Sequence, residues 1–335
     1  LQGTPPERIS ACIAPAASPG APLGPRLISV VSGCYNEEEN IRECYEQVKR
    51  VFATLPHYRY EHVFIDNASR DRTVPILREI AAVDKNVRVI VNARNFGHIR
   101  SPHHAFLQTR GDAVISLVSD LQDPPELIRD FLKKWEEGFL VVIAVKSNSD
   151  ESPFFFLIRR AYYEVVSRLA ETELNKNATG FGLYDRRFID ILAEIDDPYP
   201  YFRGLVSEIG FPTAKIPYHQ PARRRGITSN NFYRLYDMAM LGITNHSKVP
   251  LRLATMLGFL VSFLSAAVAL GYLVFKLMYW DQFSLGLAPI IIGLFFFGSV
   301  QLFFIGVLGE YIGAIYTQVQ RRPYVVERER INFDT

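Results

Sequence analysis

Along the first 150 residues, brief apolar runs alternate with segments whose apolar residues recur at helical spacing. Leu27–Ser32, His62–Ile65, Val87–Val91, Ala113–Val118 and Leu140–Val145 are short and β-prone. Glu37–Leu55, Asp71–Ala82 and Pro124–Glu137 carry the helical period, the first with acidic residues at its start. This alternation predicts an α/β domain, a doubly wound and mostly parallel sheet with helices on both faces. Such sheets bind ligands beyond the carboxyl ends of their strands. The segments to read for chemistry are therefore Gly33–Asn40, Asp66–Asp71, Ala93–His98 and Ser119–Glu126. None contains G-x-G-x-x-G or G-x-x-x-x-G-K-[ST], so dinucleotide and P-loop readings lose their main support.

After residue 250 the pattern changes. No charged residue occurs from Leu253 to Phe275, nor from Gln282 to Gly309. Each run exceeds the roughly 20 residues that cross a bilayer as a helix, and neither has a polar stripe. Two transmembrane helices, 250–278 and 285–318, joined by an external loop at 279–284, are predicted. Lys248 and Arg252 precede the first run and Arg321 and Arg322 follow the second, which puts both flanks in the cytoplasm. Tyr279 and Trp280 suit an interfacial belt. Before the spans, Asn231–His246 is amphipathic, with Phe232, Leu235, Tyr236 and Met240 on its apolar side; residues 229–249 are expected to lie on the membrane as a juxtamembrane helix. Residues 1–25, rich in Pro, Ala and Gly, read as a disordered leader. That leaves 26–228 as a cytosolic domain and 319–335 as a cytosolic tail of a multi-pass inner-membrane protein.

Composition narrows the classes further. The 335 residues carry 37 Lys and Arg against 35 Asp and Glu, a net charge of +2 that argues against a nucleic-acid partner. Three cysteines, Cys12, Cys34 and Cys44, make no disulfide framework and have no C-x-x-C spacing.

In the segments after the strands, Asp66 and Asn67 stand where a ligand would meet the end of the second strand, with Ser69 or Asp71 as a helix cap. In Ser119–Glu126, Asp123 reads as the N-cap of a Pro-led helix. Asp120 and Gln122, at alternate positions of an expected extended segment, present oxygens toward one point. A hard divalent cation bound to a diphosphate needs few further protein oxygens.

Tyr35-Asn36-Glu37-Glu38-Glu39-Asn40, Asp66–Thr73, Arg94-Asn95-Phe96-Gly97 and Asp120–Glu126 resemble family 2 glycosyltransferases. The resemblance is to the branch that glycosylates polyprenyl phosphates, the dolichyl-phosphate and bactoprenol glycosyltransferases. It continues through Thr179–Arg186, Pro250–Leu253 and Gly309–Pro323. It implies a GT-A fold, a nucleotide-sugar donor, a polyprenyl-phosphate acceptor and Mg²⁺ or Mn²⁺. Gly33, Tyr35 and Glu37 match one nucleotide-binding loop; Ile65, Asp66 and Asn67 match a second, and Arg94 matches a loop arginine. Ser119, Asp120 and Gln122 match the metal motif, Asp120 and Gln122 being its expected metal ligands and catalytic centre. The sequence departs from the family pattern at three positions: Val118 replaces the first motif aspartate, Asn67 an acidic residue, and Gly182 the arginine of Gly-Phe-Arg.

The implied reaction is inverting transfer of one sugar, with UDP-glucose and undecaprenyl phosphate as the narrow expectation and GDP-mannose as the alternative donor. A lipid monophosphate has a second pKa of about 6 and needs no strong general base, so His98, His103 and His104 are expected to face solvent or pack locally. An anionic acceptor needs cations instead, and Arg225, within Arg223-Arg224-Arg225, together with Lys146 and Arg160, are the candidates. A processive synthase is disfavoured because Gln-x-x-Arg-Trp is missing. A non-catalytic membrane adaptor is the reading of another class, with Val118 its best support. Self-association into a homo-oligomer is left open by the sequence.

Overall fold

A computed structural model describes residues 25–148, 178–195, 197, 200, 202–220, 249–279, 287–320, 323 and 325–333. In chain order the elements are β1 (Arg26–Cys34), α1 (Ile41–Ala53), β2 (Tyr58–Asp66), α2 (Thr73–Val83), β3 (Val87–Asn92), α3 (Gly97–Leu107) and β4 (Ala113–Ser116). A 3₁₀ turn at Pro125–Leu127 leads into α4 (Ile128–Glu136) and β5 (Val141–Asn148). Then come β6 (Ala178–Asp185), α5 (Arg186–Glu194), α6 (Phe202–Ile209), β7 (Thr213–His219), α7 (Val249–Met278), α8 (Leu287–Val319) and β8 (Glu327–Ile331).

These strands form one sheet in the order β7-β5-β6-β4-β1-β2-β3-β8. β3, β2, β1 and β4 run parallel, as do β5 and β7; β6 is antiparallel to both β4 and β5. This is a GT-A-like α/β arrangement. The central strands are apolar on both faces because both faces are covered: five consecutive positions of β1 and six of β2 are buried. One face packs on α1, α2 and α4 through Ile41, Val48, Leu77, Ile80, Phe131 and Leu132. The other packs on α3, α5 and α6 through Phe106, Phe188, Leu192 and Leu205. In α1 the buried residues Ile41, Cys44, Tyr45, Val48, Val51 and Phe52 hold the spacing of one helical face.

Within the stretch 319–335, expected as a tail, the chain returns to the sheet at Glu327–Ile331. β8 pairs antiparallel with β3 and covers its edge. It is tied down on both sides: Glu329 accepts from Arg78 of α2 at 2.5 Å, and Glu327 meets His104 of α3 at 2.5 Å. Asn332 donates to the carbonyls of Ala81 and Val87, each at 2.8 Å. At the opposite end of the sheet from the functional loops, the buried Glu61 accepts from Ser29 Oγ and from the Arg110 amide, while Arg88 Nη1 approaches its other oxygen at 2.7 Å.

α7 and α8 are the long apolar helices. Among the described residues, one helical segment, Phe296–Val319, is long and apolar enough to cross a membrane, and Ala254–Ser265 is a shorter apolar stretch within α7. The hydroxyl of Tyr311 bonds the backbone of Leu251, so the end of α8 lies beside the start of α7. The expected amphipathic segment Asn231–His246 lies outside the described residues.

His62, fully buried in β2, meets Ser32 Oγ at 3.0 Å, and burial drives its pKa down to about 3. His103 is lowered to about 4 for the same reason. Both rings stay neutral in the fold while the unfolded chain protonates near the ordinary histidine value of 6.5. Stability is therefore fully present above that value and is lost as pH falls toward the folded pKa values. Unfolding followed by circular dichroism from pH 7.5 to 4.5 is expected to show this loss, and His62→Gln to make it shallower. An equally steep loss in the variant would contradict the assignment to His62.

Candidate active site

Parallel strands end together, and the loops beyond β1, β2, β3 and β4 lie side by side. Gly33 pairs in register with Ile65, Asp66 with Val91, and Val31 with Ser116. The first two loops are joined directly. Asn36 N donates to Ser69 Oγ at 2.9 Å, and Arg70 N donates back to Asn36 Oδ1 at 2.9 Å. The Glu37 amide donates to Thr73 Oγ1 at 2.9 Å, its carboxylate accepts from Asn40 Nδ2 at 2.6 Å, and Arg72 N donates to Glu38 Oε2 at 2.9 Å. Just before α2, whose N-cap position is Arg72, Asp71 accepts from Thr73 N and Oγ1.

Within this frame Tyr35 is 43% exposed, and Ile65 and Asp66 are fully buried. Burial pushes the Asp66 carboxyl up, opposed by the bond from Ser69 N at 3.0 Å. Asn67 is buried and bonded on several sides. Its amide N donates to Cys34 O, its Nδ2 donates to Gly97 O at 3.0 Å, and its Oδ1 accepts from Asn92 Nδ2 and Phe96 N. Arg94 is exposed, with its guanidinium 4.0 Å from the centre of the Phe96 ring.

The fourth loop is pinned to the first: Ser119 Oγ donates to Gly33 O at 2.9 Å. Here the structure corrects two expectations. Asp120–Gln122 is not extended, because Leu121 adopts φ 61° and the Gln122 amide folds back to donate to Asp120 Oδ1 at 3.1 Å. The turn, rather than strand alternation, sets where the two side chains point. Nor does Asp123 cap a helix. It is buried 95 residues from Tyr218, whose hydroxyl donates to its Oδ1 at 2.6 Å, with Gln220 Nε2 at 3.3 Å. Burial raises its pKa, and the charge of Lys146 opposes the rise. Lys146 sits on β5 in register with Tyr218 of β7, so this candidate cation stands beside the Ser119–Glu126 loop. Tyr218 was not singled out from sequence, since a tyrosine in an edge strand gives no local signal. Arg160 and Arg225 lie outside the described residues.

Three of the four non-glycine residues with positive φ among the described residues, Asn36, Ala68 and Leu121, fall in these loops. Backbone strain of that kind collects where side-chain aim matters.

A sequence profile described as "Glycosyl transferase family 2" matches residues 29–205. The chain belongs to that family. It is 34% identical over 302 residues to an uncharacterised glycosyltransferase, YkcC, of Bacillus subtilis, covering 90% of this chain and 93% of that one. It is 33% identical over 305 residues to the SfII prophage-derived bactoprenol glucosyl transferase of Shigella flexneri, covering 90% and 97%. Glucosyl-3-phosphoglycerate synthase of Mycobacterium tuberculosis aligns at TM-score 0.46 and 21% identity over 65% of this chain and 76% of that one, a likeness too loose to carry function.

The chain is a glycosyltransferase, and its departure from the family pattern at position 182 has a structural reason. At Gly182, in the middle of β6, an added Cβ would lie 2.4 Å from Val142 O and 3.2 Å from Ile143 Cα. An arginine there would force β5 and β6 apart. Val118 is 44% exposed just beyond β4 and brings no oxygen to the motif. Among the described residues no three His, Cys, Asp or Glu side chains gather as a metal cluster. The donor set of this loop, the carboxylate of Asp120 and the amide oxygen of Gln122, suits a hard cation whose remaining ligands come from a bound diphosphate and water. It does not suit a resident ion held by protein alone.

Tyr218→Phe removes the shorter of two bonds to a buried carboxylate. It is expected to lower the unfolding free energy by about 1–3 kcal/mol and to raise the apparent KM for donor more than it lowers kcat. Thermal unfolding and steady-state transfer assays measure both; wild-type values in each would contradict a tie between β7 and the Ser119–Glu126 loop.

Proposed function

We propose that the chain transfers one sugar from a nucleotide-sugar, UDP-glucose in the narrow form, to undecaprenyl phosphate at the cytoplasmic face of the membrane. The observation that carries this reading is the assembly of the β1, β2, β3 and β4 loops at one edge of the sheet, in a chain alignable over 90% of its length with a bactoprenol glucosyl transferase. Gly33, Tyr35, Glu37, Ile65, Asp66, Asn67, Arg94 and Ser119 line or support the donor side, and Lys146, Arg160 and Arg225 are the acceptor-phosphate candidates. A phosphate oxygen of the lipid attacks the anomeric carbon, the bond from that carbon to the diphosphate breaks, and the nucleoside diphosphate leaves with inversion. When bound at Asp120 and Gln122, Mg²⁺ or Mn²⁺ offsets the charge growing on that leaving group. The protein's own part is to hold donor and acceptor in line and to match the acceptor's charge with cations. The lipid phosphate is already ionised, so no general base is required.

The return of the chain to the sheet supports a paired crossing. β7 and β8 belong to one sheet, so the segment between them traverses a bilayer an even number of times. If Phe296–Val319 of α8 crosses, another segment must cross back. α7, 30 residues long and about 45 Å end to end, has the length to do so. The basic flanks Lys248, Arg252, Arg321 and Arg322 favour the cytoplasm for the sheet.

Asp120→Asn is expected to cut metal-dependent transfer of label to undecaprenyl phosphate by at least about a hundredfold. The assay uses the full chain in lipid nanodiscs. Label transfer at the wild-type rate would remove Asp120 from the reaction.

A further inference from the structure

The family resemblance leads one to expect an acidic residue at position 67, in the segment matched to base binding. The structure gives Asn67 a different task, and this inference deepens the donor-site reading above. Its Oδ1 already receives two hydrogen bonds, from Asn92 Nδ2 at 3.0 Å and Phe96 N at 3.2 Å. One of its two Nδ2 protons is given to Gly97 O at 3.0 Å. An amide oxygen has two lone pairs, so at most one N–H remains for a ligand. Asn92, wholly buried at the end of β3, also donates to Ser101 Oγ at 2.9 Å. The network thus runs from the ends of β2 and β3 into the first turns of α3.

An aspartate could not do this. It would face the Gly97 carbonyl with another acceptor, losing one bond and burying a charge. What the network holds is what the donor site needs in place. Gly97 opens α3 at φ 87°, Phe96 carries the Arg94 guanidinium on its ring, and Pro102 lies over Gly33, where an added Cβ would come 3.4 Å from Pro102 Cγ.

We propose that Asn67 is a positioning residue, which fixes the start of α3 over the donor loops through Asn92 and Ser101, and that base identity is read by other groups. The test uses the full chain in nanodiscs with Asn67→Ala, Asn92→Ala, their double variant and the milder Ser101→Ala. Hydrogen exchange of the ligand-free protein over residues 96–102 is measured alongside donor KM and competition by UDP against GDP. Faster exchange is expected in every variant. Each alanine variant at 67 or 92 is expected to raise donor KM about tenfold with kcat within about twofold, and the double variant to be little worse than either single one. The UDP-to-GDP preference is expected to stay at its wild-type value. Unchanged exchange in Asn67→Ala and Ser101→Ala would overturn the proposal. So would a shifted UDP-to-GDP preference in Asn67→Ala that Asn92→Ala does not share. A wild-type chain that binds no nucleotide would sink the donor reading, while the exchange measurement, which needs no ligand, would still decide the role of Asn67.

Discussion

Everything at the candidate site depends on four parallel strands ending in register and on the hydrogen bonds that fasten their loops to one another. Asn67 N reaches Cys34 O, Ser119 Oγ reaches Gly33 O, and Asn36 and Ser69 join the first two loops. Loops that leave a sheet normally satisfy their polar groups with water and move accordingly. Here they satisfy one another, so the side chains between them have little freedom. The positive φ values at Ala68 and Leu121 persist because the surrounding bonds over-determine the backbone.

A second constraint acts from the far edge of the sheet. β8 closes the open side of β3 and grips α2 through Glu329 and α3 through Glu327. The chain that leaves β7 therefore comes back, after two long apolar helices, to brace the helix that begins beside Asn67. The apolar helices are followed by a strand that is hydrogen-bonded to the sheet.

Much of this was legible in the residues. Leu27–Ser32 and Val87–Val91 read as strands because they are buried on both faces, and the loops after them lie side by side at one end of the sheet. α3 was not read: Gly97-His98-Ile99-Arg100-Ser101-Pro102 has no helical period, and a proline inside a segment argues against a helix. β6 carries glycines that weaken a strand signal, and Gly182 is there because β5 passes too close for any side chain. β8 looked like charged tail because the hydrogen-bond partners of Glu327, Glu329 and Arg330, namely His104, Arg78 and Gln108, lie far away in sequence. Asp123 was misread for the same reason, its partner Tyr218 being 95 positions distant. Local pattern reports burial and period; it does not report which distant group a polar side chain will meet.

The decisive measurement is a cryo-electron-microscopy structure of the full chain in nanodiscs with UDP and Mn²⁺. The expected result is a nucleotide lying across the ends of β1, β2 and β4, with its diphosphate beside Asp120 and Gln122 and its base between Tyr35 and the Asp66–Asn67 turn. Ordered nucleotide at another place on the sheet, with the four loops empty, would contradict the account.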